Sequence, residues 1–257
     1  MILVIDIGNS DITLGLWHQA KWAHVWRIPA VADRPELFYG IKIRDFFSEA
    51  GLNHFDVERI VLSSVVPDLT GKIINVTVPL FEKNPVVLGP EVYPKLPIKV
   101  LNPYEIGSDL VANALAAYMR FKTNCVVVDF GTALTFTTVS ASGEILGVAI
   151  TPGLKTAVRA LAQNTAKLFD VPLHWPGTVM GKNTVHAIQA GVLMGYEGLV
   201  KSMLQKIRNE LHDNHLQSIA TGGLVSAIPS LAETFTAVEP HLTLEGLRLV
   251  AAGISKE

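Results

Sequence analysis

Apolar β-branched runs recur along this chain, each closing on a short polar turn, and they alternate with stretches whose apolar positions fall at helical spacing. Residues 2–5, 12–17 and 22–27 predict three strands in a meander. Residues 36–50 predict a helix, 59–64 a further strand running into a loop at 65–67, and 68–80 a second helix. The proline-rich stretch 85–103 predicts short extended pieces and turns, and the expected domain boundary follows it, dividing the chain into 1–108 and 109–257. Residues 109–121 are helical in pattern, with Ala112, Leu115, Ala116 and Met119 on one side. Strands at 126–128, 134–139 and 145–150 come next, the last two joined by a hairpin at Gly143. Helices are expected at 154–162, 184–209 and 244–252, interrupted by the apolar SIATGGL segment at 218–224. The second half repeats the strand, turn and hairpin order of the first, which makes the chain an α/β protein with a duplicated plan.

The repeat is sharpest where the chain reads MILVIDIGNS at its start and CVVVDFGT at 125–132. In each, a buried strand delivers the chain to an aspartate, one intervening residue, a glycine and a small polar residue. A glycine there lets the backbone fold sharply and approach a ligand, and the N–H groups of such a turn face phosphate oxygens while the carboxylate meets a metal or a proton. Two such turns predict a phosphate site made of two parts.

Composition narrows the partners. Of 257 residues 49% are hydrophobic and 17% charged, which describes a globular chain with enough length for one large or two ordinary domains. A formal net charge of -2 gives no electrostatic footprint for nucleic acid or an acidic membrane, so small molecules are expected. The sole cysteine, Cys125, has no partner for an internal disulfide, and no run reaches the roughly 20 apolar residues that span a bilayer. Asp6 interrupts the apolar start too early for a signal peptide, and a cytoplasmic location is expected.

Four constellations carry candidate chemistry. Asp6, Gly8, Asn9 and Ser10 form either a plain strand-to-hairpin turn or a phosphate and metal loop. Asp129, Gly131, Thr132 and Thr135 repeat the arrangement; an aspartate after three valines must be solvated, paired or functional, because burying it alone is costly. In GSDLVAN at 107–113, Ser108 or Asp109 is a helix N-cap, or Asp109 accepts the proton of a substrate hydroxyl during phosphoryl transfer. Thr221, Gly222 and Gly223 form a strand-to-helix connection able to approach a nucleotide. Gly181, Asn183 and Thr184 read first as a helix start with Asn183 or Thr184 as its cap, and the eight histidines show no metal-ligand spacing.

Taken in order, DIGNS, SSVVP, IGSDLVAN, VVDFGTALTF, TPGL, GKNT, ATGGL and LTLEGL resemble the type III pantothenate kinases over the chain from Met1 to about Leu249. The resemblance implies two duplicated actin-like (ribonuclease H-like) domains with a central cleft, and ATP-dependent phosphorylation of pantothenate to 4'-phosphopantothenate, the first step of coenzyme A biosynthesis. It implies Asp109 as catalytic base; Asp6, Gly8, Asn9, Ser10, Gly131 and Thr132 at the ATP phosphates; and Gly222 and Gly223 toward the nucleotide. Asp6 would serve Mg²⁺ through phosphate or water, and Asp129 a monovalent cation, K⁺ or NH₄⁺. Gly107, Ser108, Asp109, Leu110, Val100 and Thr184 fall at positions that line the pantothenate pocket, with Thr184 reaching a neighbouring subunit of a homodimer that shares its active site. Four positions depart from the family pattern. Leu110 stands where an arginine is usual, Val100 where many members have a tyrosine, Thr137 at a frequent acidic position, and Val148 in a frequent Gly-Gly pair. Leucine offers a carboxylate neither charge nor bidentate hydrogen bonds. The alternatives to a pantothenate kinase are therefore a diverged nucleotide-binding or regulatory homologue, or a kinase for another small hydroxylated acid.

Overall fold

A computed structural model of the protein describes residues 1–253. Its first elements are β1 (Ile2–Ile7), β2 (Asp11–His18), β3 (Lys21–Pro29), α1 (Glu36–Glu49), β4 (Arg59–Ser64), α2 (Pro67–Phe81), β5 (Val86–Val87) and α3 (Ser108–Phe121). There follow β6 (Cys125–Phe130), β7 (Ala133–Val139), β8 (Ile145–Pro152), α4 (Leu154–Asn164), α5 (Thr184–Gln189), α6 (Gly195–Glu210), β9 (Gln217–Thr221), β10 (Ala237–Val238) and α7 (Leu242–Gly253). Two compact units result: Met1–Ala116 together with the chain from Leu242 onward, and Ala117–His241. These units are not the contiguous pieces 1–108 and 109–257 that the proline-rich stretch suggests. The units change over inside α3, and α7 returns to the first.

Both units are built on one plan. The first sheet runs β3-β2-β1-β4-β5 and the second, read from its other edge, β8-β7-β6-β9-β10. In each, the first three strands form an antiparallel meander and the fourth joins the first in parallel through a helical crossover. The central strands β1 and β6 are apolar almost throughout because both of their faces are covered.

In the first unit Leu3, Ile5 and Ile7 pack with Tyr39, Ile43 and Phe47 of α1 and Leu69, Ile73 and Phe81 of α2. The opposite face of β1 and β4 carries Val4, Asp6, Val61 and Ser63 by strand alternation. On that side Leu244 of α7 lies against Gly15 and Val4, and α7 meets α3 where Gly246 faces the Ala112 carbonyl. A methyl group on Gly246 would stand 2.0 Å from that oxygen. In the second unit Val126, Val128, Phe130, Leu134 and Phe136 form the core with Leu154 and Val158 of α4 and Val200 and Leu204 of α6.

The helix expected over 184–209 is interrupted. A π turn at Ala190–Met194 separates α5 from α6, where Gly191 and Gly195 weaken the α ladder.

Candidate functional site

The duplicated turns occupy equivalent places. Asp6 is the penultimate residue of β1 and Asp129 of β6. Each is flanked in register by a threonine on the antiparallel neighbour, Thr13 or Thr135, and by a hydroxyl residue on the parallel one, Ser63 or Thr221. A carboxylate between two hydroxyl side chains is thus a property of the plan, repeated in both units.

In the first unit the chain after β1 closes tightly, Gly8 N–H donating to the Asp11 carbonyl at 3.0 Å, and presents Asn9 and Ser10 to solvent. Close by in the fold, β4 ends on Ser63 and Ser64, which meet the first residue of α3. The Ser63 and Ser108 hydroxyls are 2.9 Å apart, Ser64 N–H donates to Ser108 Oγ at 3.1 Å, and Ser108 Oγ donates to the Ser64 carbonyl at 3.2 Å. Ser108 therefore spends its side chain on the strand and not on capping its own helix. Next to it, Asp109 Oδ1 accepts from Leu110 N–H at 2.8 Å.

Asp109 is half-buried, and burial raises its carboxyl above the usual carboxylate range, with the Leu110 and Asp109 N–H groups opposing the rise. Gly107 is required beside it: a Cβ there would lie 2.4 Å from Asp109 Oδ1 and 3.4 Å from Val65 Cγ1. Tyr93, buried in the turn Tyr93–Lys95, has its phenol pushed up to about 12, by burial first and by the negative charge of Asp109 second. The tyrosine near the carboxylate is thus Tyr93, whereas Val100 is part-buried and apolar. Leu110 is 9% exposed and belongs to the hydrophobic core.

In the second unit Gly131 N–H donates to the Ala133 carbonyl at 3.1 Å, and the N-terminus of α4 closes over the same turn. Gly153 N–H and the Thr156 hydroxyl both donate to the Thr132 carbonyl, at 2.9 and 2.6 Å. A Cβ at Gly153 would lie 2.2 Å from the Gly131 carbonyl oxygen, which explains the glycine of TPGL. Gly222 has φ +95 and leaves no room for a Cβ, which would sit 2.7 Å from Asp129 Oδ1. Gly222 therefore stands against Asp129 and the Phe130 carbonyl, which brings together two stretches that the sequence presents separately. Thr135, in register with Asp129, has a buried hydroxyl oxygen that meets no hydrogen-bond partner. A buried oxygen of this kind beside a carboxylate fits a bound cation.

Thr184 begins α5 and is exposed; the cap is Asn183, whose Oδ1 accepts from His186 N–H at 2.9 Å. No group of three metal-ligating His, Cys, Asp or Glu side chains occurs among the described residues. The sequence marks Ser63 only as the start of SSVVP, with no role attached, and leaves Tyr93 unmarked. Ser63 carries a weak signal, a polar residue closing an apolar strand in the place Thr221 holds in the second half, and Tyr93 carries none.

A family model for the type III pantothenate kinases matches residues 2–206. The type III pantothenate kinase of Geobacter sulfurreducens is 41% identical over 250 residues, covering 97% of this chain and 98% of its own. That of Anaeromyxobacter sp. strain K is 43% identical over 250 residues, with the same coverage. Among solved structures, a Campylobacter jejuni protein assigned to the Baf family of transcriptional activators superposes with a TM-score of 0.60 at 19% identity, covering 99% of this chain and 100% of its own. MreB 5 of Spiroplasma citri bound to AMPPNP gives 0.55 at 10% identity, covering 99% of this chain and 97% of its own. At these identities the likeness is one of fold, the actin-like and sugar-kinase fold.

Proposed function

The chain belongs to the type III pantothenate kinase family and phosphorylates pantothenate for coenzyme A biosynthesis, and from that premise we propose how its residues divide the work. ATP is the phosphoryl donor. The primary hydroxyl of pantothenate attacks the γ-phosphorus, its O–P bond forms as the bond to ADP breaks, and Asp109 accepts the hydroxyl proton. The observation that carries this assignment is the half-buried Asp109 carboxylate, fixed at the N-terminus of α3 by Leu110 N–H and raised toward a base's working range by burial.

The loop Gly8, Asn9 and Ser10 and the turn Gly131–Thr132 hold the ATP phosphates through backbone N–H groups and hydroxyls, and Gly222 and Gly223 admit the nucleotide. Asp6 would hold Mg²⁺ through phosphate or water, and Asp129 with the unpartnered Thr135 hydroxyl would hold K⁺ or NH₄⁺. Such cations would supply positive charge beside the transferring phosphoryl group. The acceptor is bounded by Gly107, Ser108 and Val100, and Leu110 contributes apolar surface, so recognition of the pantothenate carboxylate falls to other groups. Thr184 supports a homodimeric arrangement: it is exposed, and Val179 and Met180 just before it are 68% and 76% exposed. A compartment without membrane insertion fits the described helices, none of which is long and apolar enough to cross a bilayer.

The test is a coupled assay of the purified protein with ATP, Mg²⁺, K⁺ and pantothenate. ADP and 4'-phosphopantothenate are expected in equal amounts, with a drop when K⁺ is replaced by Na⁺. Absence of phosphopantothenate at saturating ATP overturns the acceptor, and insensitivity to K⁺ removes the cation from Asp129.

A further inference from the structure

We infer that Ser63 is a positioning residue: its hydroxyl locks the N-terminus of α3, and with it Asp109, to the strand pair that carries Asp6. This rests on the reading of Asp109 as base. Ser108 Oγ accepts Ser64 N–H at 3.1 Å and lies 3.2 Å from the Ser64 carbonyl, to which it can donate. The Ser63 and Ser108 hydroxyls share a further bond at 2.9 Å, in which either oxygen can donate. Ser63 is 0% exposed and Ser108 is 6% exposed, so no bulk water competes for these bonds and each is worth more than its surface counterpart.

Ser63 also faces Asp6. The two are paired in register in the parallel β1 and β4 strands, and Val65 N–H donates to the Ile7 carbonyl at 3.0 Å just beyond them. The end of β4 is itself held still: Ser64 Oγ accepts from Val66 N–H at 3.1 Å and from the Thr70 hydroxyl at 2.7 Å, tying it to the first turn of α2. A rigid strand end thus meets the metal and phosphate aspartate on one side and, through the Ser63 to Ser108 hydroxyl bond, the base-bearing helix on the other. Asp109 follows Ser108 directly, and its carboxylate is folded so closely over Gly107 that a displaced helix start displaces Oδ1. In phosphoryl transfer a base misplaced by about 1 Å costs on the order of 100-fold.

The experiment compares Ser63→Ala, Ser63→Thr and Ser108→Ala with wild type, measuring kcat, KM for ATP and pantothenate, melting temperature, and exchange of the Leu110 amide proton by NMR. For Ser63→Ala, kcat is expected to fall roughly 10- to 100-fold with little change in ATP KM or melting temperature, and Leu110 exchange to quicken about 10-fold. Ser63→Thr, which keeps the hydroxyl, is expected to return kcat to within about 3-fold of wild type. Wild-type kcat and unchanged Leu110 exchange in Ser63→Ala overturn the inference, as does a kcat loss that Ser63→Thr fails to rescue and that tracks melting temperature. Should the wild type phosphorylate no pantothenate while Ser63→Ala still loosens Leu110, the positioning stands and the pantothenate assignment falls.

Discussion

In its proposed role as base, Asp109 serves chemistry at the expense of the fold. Burial raises its pKa in the folded chain above its value in the unfolded one, so the folded state holds the proton more tightly. The stabilisation this gives is complete below the unfolded pKa and is lost as pH rises through the folded value, leaving above it an ionised carboxylate that weighs against folding. A base, however, works only when ionised. Turnover is therefore expected to fall as pH drops through the raised value, with the acid limb of the kcat profile above the range of an ordinary carboxylate, and the wild-type pH profile checks it. In Asp109→Asn the amide oxygen still accepts from Leu110 N–H while the buried charge is gone. We expect turnover to fall about 10²- to 10⁴-fold, ATP affinity to persist, and the melting temperature at pH 8 to hold or rise. The gap in melting temperature should close as pH is lowered through the folded pKa. An unchanged rate removes Asp109 from the base role.

At the level of elements, α3 is held at two places: by the serine contacts at its start and by α7 at Ala112. Thr243 adds a bond to Asn113 Oδ1 at 2.9 Å, so α7 grips α3 one turn beyond Asp109. Gly246→Ala puts a methyl against the Ala112 carbonyl, a backbone atom that has nowhere to yield, and is expected to cost about 1–3 kcal/mol or more. A urea midpoint shift without a change in slope measures it, and an unperturbed midpoint would show the helices free to separate. The same elements mark how far the pattern of residues carries. Both Asp-x-Gly turns are legible because an apolar strand that ends on a carboxylate and a glycine permits few other conformations. The glycines of IGSD, TPGL and ATGGL are legible as special positions; the cause of the first, the Asp109 carboxylate, lies in its own motif, but those of the other two, the Gly131 carbonyl and Asp129, lie on other elements. The return of α7 to the first unit is hidden, since an amphipathic helix shows that it has a buried face and not which sheet buries it. Ser108 looks like an N-cap because its strand partners are 44 and 45 residues away, and the π turn is masked by helical periodicity running through it.

For the whole molecule, four exposed apolar side chains, Phe169, Trp175, Val179 and Met180, occupy one stretch of chain leading to Thr184. Asn183 caps the helix, which leaves the exposed Thr184 hydroxyl without a structural task in capping and available to a substrate or a second copy. Apolar surface rimmed by polar residues is the usual mark of an interface, and a second copy of the chain is the partner that the proposed shared active site requires. The wild type is expected to sediment as a dimer. Placing Val179→Lys and Met180→Lys together would bury two uncompensated charges, each costing about 3–5 kcal/mol, so the dimer constant should weaken by at least about 10⁴-fold. If the partner's Thr184 position completes the acceptor pocket, the loss falls on pantothenate: its KM rises as the variant is diluted, while ATP KM stays put. Analytical ultracentrifugation and kinetics at matched concentrations separate the cases. A wild type that is monomeric at full activity, or a monomeric variant with unaltered pantothenate KM, would return the whole acceptor pocket to a single chain and leave Thr184 outside it.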